Sequence, residues 1–261
     1  MLKSFRGFDK QKLMKLNTMT KYPSILTYHA MGERGRLSNK LTTSFEGEQV
    51  TATEKVDGTN SRIIFNGEES FIIGSREELL HCSGDIIYNP DNRIVESYLP
   101  FIEELDKLRT QFTPSKYRVT VLYFESYGGK INGGKNYTND PTLTNIRLFD
   151  VVVMTEKEVE ELLEKDLSII ASWREHGGLR FLPYSEIACD RLVPIIPLEE
   201  VPADHAGVLE MLKAKLPKTL CGITLDNKGK AEGLVIRTDD KTKIAKIRFE
   251  DYERTLDLRG K

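Results

Sequence analysis

The sequence predicts an α+β fold of antiparallel strands flanked by helices, in a single domain. Three observations carry this expectation. Runs rich in β-branched and aromatic residues, each of strand length, recur along the 261 residues. Helical periodicity falls in separate blocks between those runs instead of once after every strand, which argues against a parallel βαβ repeat. A hydrophobic content of 39% with 30% charged residues is that of a globular chain able to bury a large core.

In chain order the strand runs are QVTATEK (49–55), SRIIF (61–65), SFIIGS (70–75), RVTVLYFES (118–126), IRLFDVVV (146–153), GLVIR (233–237) and KIAKIRF (243–249). The first two flank a short turn and read as a hairpin. Asn66-Gly67 is a hairpin signal between the second and third. Ile94, Val95, Tyr98, Ile102 and Leu105 share one face of a helix over 92–110, which Pro100 kinks or splits. Thr155-Glu156-Lys157-Glu158 is a capping box opening a helix expected to run through Leu167. A further helix is expected over Ala206–Leu216. No internal repeat or low-complexity linker interrupts the chain, so one compact unit (19–261) is expected behind a basic N-terminal segment (1–18).

Composition excludes several classes. Three cysteines and four histidines lie far apart, with neither disulfide nor metal-ligand spacing, which argues against a protein-ligated zinc and for a reducing cytoplasm. No apolar run approaches a membrane span, and the N-terminus lacks a signal-peptide core, so a cytoplasmic protein with no membrane partner is expected. Formal net charge is −2, but residues 1–40 hold nine Lys and Arg against two acids. That segment reads either as an electrostatic footprint for a nucleic acid or as a solubilising, mobile tail.

The turn Thr53-Glu54-Lys55-Val56-Asp57-Gly58-Thr59-Asn60 carries the chemistry. A lysine amine is nucleophilic only when deprotonated, and burial beside other cations lowers its pKa. Lys55 is therefore a candidate covalent nucleophile, on a turn whose glycine lets a phosphate approach the backbone. The competing reading is an exposed hairpin with a surface lysine. Further segments follow in fixed order: GSREEL with Arg76, LYFESYGGKINGG with Glu125, LFDVVV with Phe149, AEGLVIR with Glu232, and IAKIRFEDY with Lys246 and Arg248. Together they supply a nucleophile, carboxylates suited to a hard divalent cation, and cations suited to a triphosphate.

This ordered series resembles the covalent nucleotidyltransferase superfamily of ATP-dependent ligases and mRNA capping enzymes. Within it the chain is most similar to phage-type RNA ligases that seal nicks in duplex RNA, through KVDGTN and the upstream MTKYPSILT (19–27). The resemblance implies an ATP-grasp-like ligase fold and Lys55 as the residue that takes AMP from ATP. It implies Glu54 at the adenine, partly through its backbone, Asn60 and Arg76 at ribose and phosphate oxygens, and Phe149 stacked on the base. Glu125 and Glu232 would be the acids that organise Mg²⁺ or Mn²⁺, and Lys246 the cation on the α-phosphate. Arg248 stands where the family usually has a second lysine, and its planar fork is a different tool from an ammonium. Each residue keeps a plainer alternative: strand-end acids for Glu125 and Glu232, a surface pair with Glu77 or Glu78 for Arg76, and core packing for Phe149. RNA with a 5′-phosphate and a 3′-hydroxyl is the implied partner. Nine residues after Tyr252 leave no room for the OB domain of DNA ligases and capping enzymes, so a nearly bare catalytic domain is expected. A GTP-dependent capping guanylyltransferase and a non-catalytic nucleotide- or RNA-binding module remain as alternatives.

Overall fold

The computed structural model describes residues 5–66, 70–82, 85–86, 93–112, 119–224 and 229–257. Its centre is a six-stranded antiparallel sheet in the order β7-β6-β5-β4-β8-β9. Its strands are β4 (Thr59–Asn66), β5 (Ser70–Ser75), β6 (Leu79–Cys82), β7 (Asp85–Ile86), β8 (Val119–Gly128) and β9 (Thr144–Met154). A second antiparallel sheet runs β10-β3-β11-β12, from β3 (Thr51–Lys55), β10 (Ile195–Ile196), β11 (Gly233–Arg237) and β12 (Ile244–Arg248). A ribbon of β1 (His29–Met31) and β2 (Leu37–Leu41) lies beside it, and a parallel bridge from Thr27 to Lys246 ties the chain before β1 to β12.

The central strands are apolar on both faces, as a layer covered on both sides must be. On β8, Leu122 and Phe124 face one cluster with α2 (Ile94–Tyr98) and α3 (Ile102–Phe112). Val119, Val121 and Tyr123 face the other, with α1 (Lys10–Met19), α4 (Glu156–Leu163) and α5 (Leu167–Trp173). A third cluster puts Ala52, Leu234, Ile236, Ala245 and Ile247 of the smaller sheet against α6 (His205–Lys215) and α7 (Phe249–Thr255). No helix among the described residues is long and apolar enough to cross a membrane.

Several elements end elsewhere than expected. The chain around Pro100 breaks into α2, a 3₁₀ turn over Leu99–Phe101 and α3; residue 92 lies outside the described residues. The Thr155–Glu158 capping box is formed, but its helix stops at Leu163. Lys15 Nζ donates to the Leu163 carbonyl at 2.6 Å, satisfying an end that a continuous helix would bury, and α5 starts afresh and packs on α1. Phe249 leaves the strand run to open α7, its N–H donating to the Glu232 carbonyl at 3.0 Å. Gly67 lies outside the described residues, although β4 and β5 pair from Ser61↔Ser75 to Asn66↔Ser70.

The N-terminal segment is not a tail over its described part. Asp9 caps α1 by accepting from Lys12 N–H at 2.8 Å, and Phe5, Leu16 and Met19 are buried in the cluster that covers the central sheet. Arg62 pins the end of this helix. Its guanidinium is fully buried and donates to Asn17 Oδ1, Thr20 Oγ1 and the carbonyls of Ser75 and Arg76, and burial lowers it to about 10. Leu16→Ala should cost about 2–5 kcal/mol. Deleting residues 1–18 should lower the unfolding midpoint as well, because it strips apolar cover from the sheet. Denaturant unfolding measures both, and an unchanged midpoint on deletion would contradict this packing.

Candidate active site

The lysine turn is not a hairpin. β3 belongs to the smaller sheet and β4 to the larger, so Val56, Asp57 and Gly58 carry the chain from one sheet to the other. The two sheets form facing walls of a cavity of about 460 Å³, a volume in the range of small-molecule sites. Because opposite residues of an antiparallel pair share a face, rows cross one wall. Lys55–Gly233–Arg248 comes first, then Thr53–Val235–Lys246, then Thr51–Arg237–Ile244. Gly233 leaves the first row open between its two cations. On the facing wall Asn60 pairs with Glu125, and the row of Arg62 and Tyr123 leads to Asp150.

Two glycines set this geometry. A Cβ on Gly58 would lie 2.3 Å from the Ser126 carbonyl oxygen and 3.1 Å from Glu125 Cγ. The protein's own strand is therefore sufficient to demand a glycine here. Gly133, at φ +72°, lets the glycine-rich loop close over the Asp57 carboxylate, which a Cβ would meet at 2.3 Å. The Tyr137 hydroxyl holds the same turn by accepting from Asp57 N–H at 2.6 Å.

Lys55 Nζ lies 2.6 Å from Glu232 Oε2, with both side chains half-buried. Lys246 titrates below its ordinary value through burial first, then the neighbouring Arg248 and Lys55 cations. Glu232 is pushed up by burial, with Lys55 opposing. Glu125 is pushed up to about 8 by burial, with Lys55 opposing and the Glu232 and Asp57 carboxylates adding to the rise. Arg76 is exposed at the rim, donating to Ser24 Oγ at 3.1 Å and lying 3.6 Å from Glu77, so the surface pair and the cavity position coexist. Asn60 Oδ1 is buried without a hydrogen-bond partner.

Glu54 and Arg248 both line the cavity, and each has its charged group engaged within the protein. The Glu54 carboxylate is on the opposite face of β3 from Lys55, and Thr219 Oγ1 and Leu220 N–H donate to it. That acid builds the wall, while its N–H donates to Pro194 O at 2.9 Å. Arg248 gives its fork to Asp251, Nε to Oδ2 at 2.8 Å and Nη2 to Oδ1 at 2.9 Å, which holds it above its ordinary value although burial opposes this. Phe149 lines the cavity because a bulge in the β8–β9 ladder leaves it between Leu148, paired with Phe124, and Asp150, paired with Tyr123.

At the far end lies a cluster that the sequence reading did not single out. Asp150, fully buried, accepts from Arg237 Nη1, Tyr22 Oη and Lys241 Nζ. Lys241 is pushed down to about 7 by burial, with Asp150 opposing, and its ammonium lies over the Phe181 and Tyr22 rings. The available signal was an aspartate inside the apolar run LFDVVV.

Among the described residues, no group of three or more His, Cys, Asp or Glu is arranged to hold a metal ion. Glu125 and Glu232 are nonetheless hard oxygen donors of the kind a magnesium ion takes together with water and phosphate oxygens. The partnerless Asn60 Oδ1 and the crowded acid Glu125 are what a site fitted to a bound cation and a nucleotide would present.

These walls, with a lysine at the crossing between them, enclose a cavity of small-molecule size in an α+β fold. The RNA ligase family model matches residues 48–249, and the chain belongs to the RNA ligase family. In fold it is similar to the Naegleria gruberi RNA ligase with PPi, at 16% identity and a TM-score of 0.53, over 93% of this chain and 59% of that one. A mutant of that ligase with ATP and Mn aligns at 17% identity with a TM-score of 0.48, over 78% of this chain and 51% of that one. The chain thus spans little more than half the length of these ligases. A search of the curated proteins gave no match.

Gly58→Ala should push β8 away from the crossing, costing about 1–3 kcal/mol in stability and weakening nucleotide binding by calorimetry; unchanged binding would contradict the contact. Glu125 supplies a pH test. Its folded-state pKa is about 8 against an ordinary 4.5, so the folded protein keeps a proton that the unfolded chain releases. Stability should fall as pH rises between those values and level off above. Glu125→Gln should flatten that slope in melts across the window, and an identical slope would contradict it.

Proposed function

We propose that this chain is the nucleotidyl-transferring part of an ATP-dependent RNA ligase working through a covalent lysyl-AMP on Lys55. The observation that supports this best is the Lys55 amine, 2.6 Å from Glu232 and sharing one cavity with Glu125, Lys246 and Arg248. The structure of the related Naegleria gruberi ligase with ATP and Mn agrees with a nucleotide and a divalent ion as its requirements.

In this reading the purine lies between Phe149 and Val235, and the phosphates extend toward the Lys55–Gly233–Arg248 row. Lys55 Nζ attacks the α-phosphorus, a nitrogen–phosphorus bond forms, and the bond to the bridging oxygen breaks as pyrophosphate leaves. Glu232 is placed to hold the proton the amine gives up. Lys246 and Arg248 offset charge on the phosphate oxygens, and Asn60 and Arg76 orient ribose and phosphate. A divalent ion held by Glu125 and Glu232 would neutralise phosphate charge. AMP then passes to a 5′-phosphate RNA end, and a 3′-hydroxyl displaces it to form the phosphodiester.

The test is incubation with α-labelled ATP, GTP, CTP and UTP and Mg²⁺, followed by denaturing electrophoresis. Label from ATP that is lost in Lys55→Ala is expected. Label from GTP alone would support a capping-type guanylyltransferase, and no label a binding module. Nicked duplex RNA, single-stranded RNA and nicked DNA then identify the substrate.

A further inference from the structure

The end of the cavity away from Lys55 carries two polar groups that nothing in the fold satisfies. Arg237 is 2% exposed and Tyr184 is 4% exposed, both line the cavity, and both Arg237 Nη2 and the Tyr184 hydroxyl lack a hydrogen-bond partner. Buried donors are rarely left this way, because the lost hydration is not repaid. Their neighbours are otherwise fully engaged. Asp150 takes Arg237 Nη1, Tyr22 Oη and Lys241 Nζ, and Arg237 Nε reaches the Thr238 carbonyl at 3.5 Å. A purely structural ion-pair cluster would not need Nη2 to remain open, nor a tyrosine hydroxyl beside it. The guanidinium carbon lies 5.0 Å from the centre of the Tyr184 ring, so ring and fork hold each other in place.

We propose that Arg237 Nη2 and the Tyr184 hydroxyl read the far edge of the nucleotide's purine base. Resting on the nucleotidyl-transfer reading above, the inference follows from order along β11. Gly233 pairs with Lys55 at the phosphate end, Val235 lines the cavity as Phe149 does, and Arg237 comes next on the same face. Four residues of strand span roughly 13 Å, which sets Arg237 beyond the base and not beside the phosphates. Its charge is already offset by Asp150, so it suits a neutral acceptor better than a second anion. Nη2 donates to a ring nitrogen of the base, and the Tyr184 hydroxyl, able to donate or accept, takes the adjoining group. A single-ring base in the same position would stop short of both, so purines are favoured. Lys241 and Tyr22 act as positioning residues, holding Asp150 and through it the fork.

The test is equilibrium calorimetry with ATP and with analogues in which one ring nitrogen at a time is replaced by carbon. With the wild-type protein, at least one analogue should bind about 10-fold to 100-fold more weakly than ATP. In Arg237→Met that penalty should vanish, because the donor it reports is gone. Tyr184→Phe keeps the ring under Arg237 and removes only the open hydroxyl. It should leave the unfolding midpoint unchanged or higher while weakening ATP binding several-fold. Equal binding of every analogue to the wild type, or a penalty that persists in folded Arg237→Met, would overturn the proposal. If Arg237→Met does not fold, Tyr184→Phe decides, and undiminished affinity there overturns it. Because binding is read apart from labelling, ATP that binds with this pattern but never labels Lys55 would count against the ligase reading alone. Labelling of Lys55 with equal binding of all analogues would count against base reading alone.

Discussion

Everything about the cavity depends on a crossing of three residues. Val56, Asp57 and Gly58 carry the chain from the last residue of β3 to the first of β4, so strands adjacent in sequence become facing walls. The crossing is tight because Gly58 packs against the Ser126 carbonyl and Gly133 closes over Asp57. Lys55 therefore ends one wall while Glu125, next to the crossing on the other, is brought to the same place. A side chain at either glycine would force the crossing apart and so separate the nucleophile from its carboxylates.

Charge is arranged differently at the two ends of the cavity. Near the crossing the charges are incompletely matched. Lys55 pairs with Glu232, but Glu125 is kept protonated by burial, and Lys246 is lowered by burial and neighbouring cations. Such groups change protonation readily when a charged ligand arrives. At the far end Asp150 on the larger sheet is held by Arg237 of β11 and by Lys241 from the turn between β11 and β12, and its pKa is lowered although burial works against this. Removing either partner from a pair this deeply buried leaves an uncompensated charge. The first end is built for chemistry, and the second fixes registry between the sheets while leaving Arg237 Nη2 open to the cavity.

Much of this was legible in the sequence where the signal was local. The seven strand runs, the Thr155 capping box and the break at Pro100 are each formed within a residue or a few of where their patterns put them. Lys55, Glu125 and Lys246, taken from separate motifs, line one cavity, and Glu232 lies 2.6 Å from Lys55. What escaped was set by distant partners. A crossing and a hairpin share the same strand–turn–strand pattern, and only β11 and β8, recruited from far along the chain, decide between them. Leu163 ends its helix with its carbonyl taken by Lys15, 148 positions away. Phe149 reaches the cavity through a bulge that has no composition of its own. The Arg248–Asp251 fork could have been read from the i,i+3 spacing at the strand–helix junction.

The most direct measurement is to incubate the protein with ATP and Mg²⁺, digest it under conditions that preserve phosphoramidates, and locate the adduct by tandem mass spectrometry. A single AMP on Lys55, with Lys246 unmodified, is the expected result. AMP carried by Lys246 or another lysine, with Lys55 free, would contradict the assignment of the crossing lysine as nucleophile.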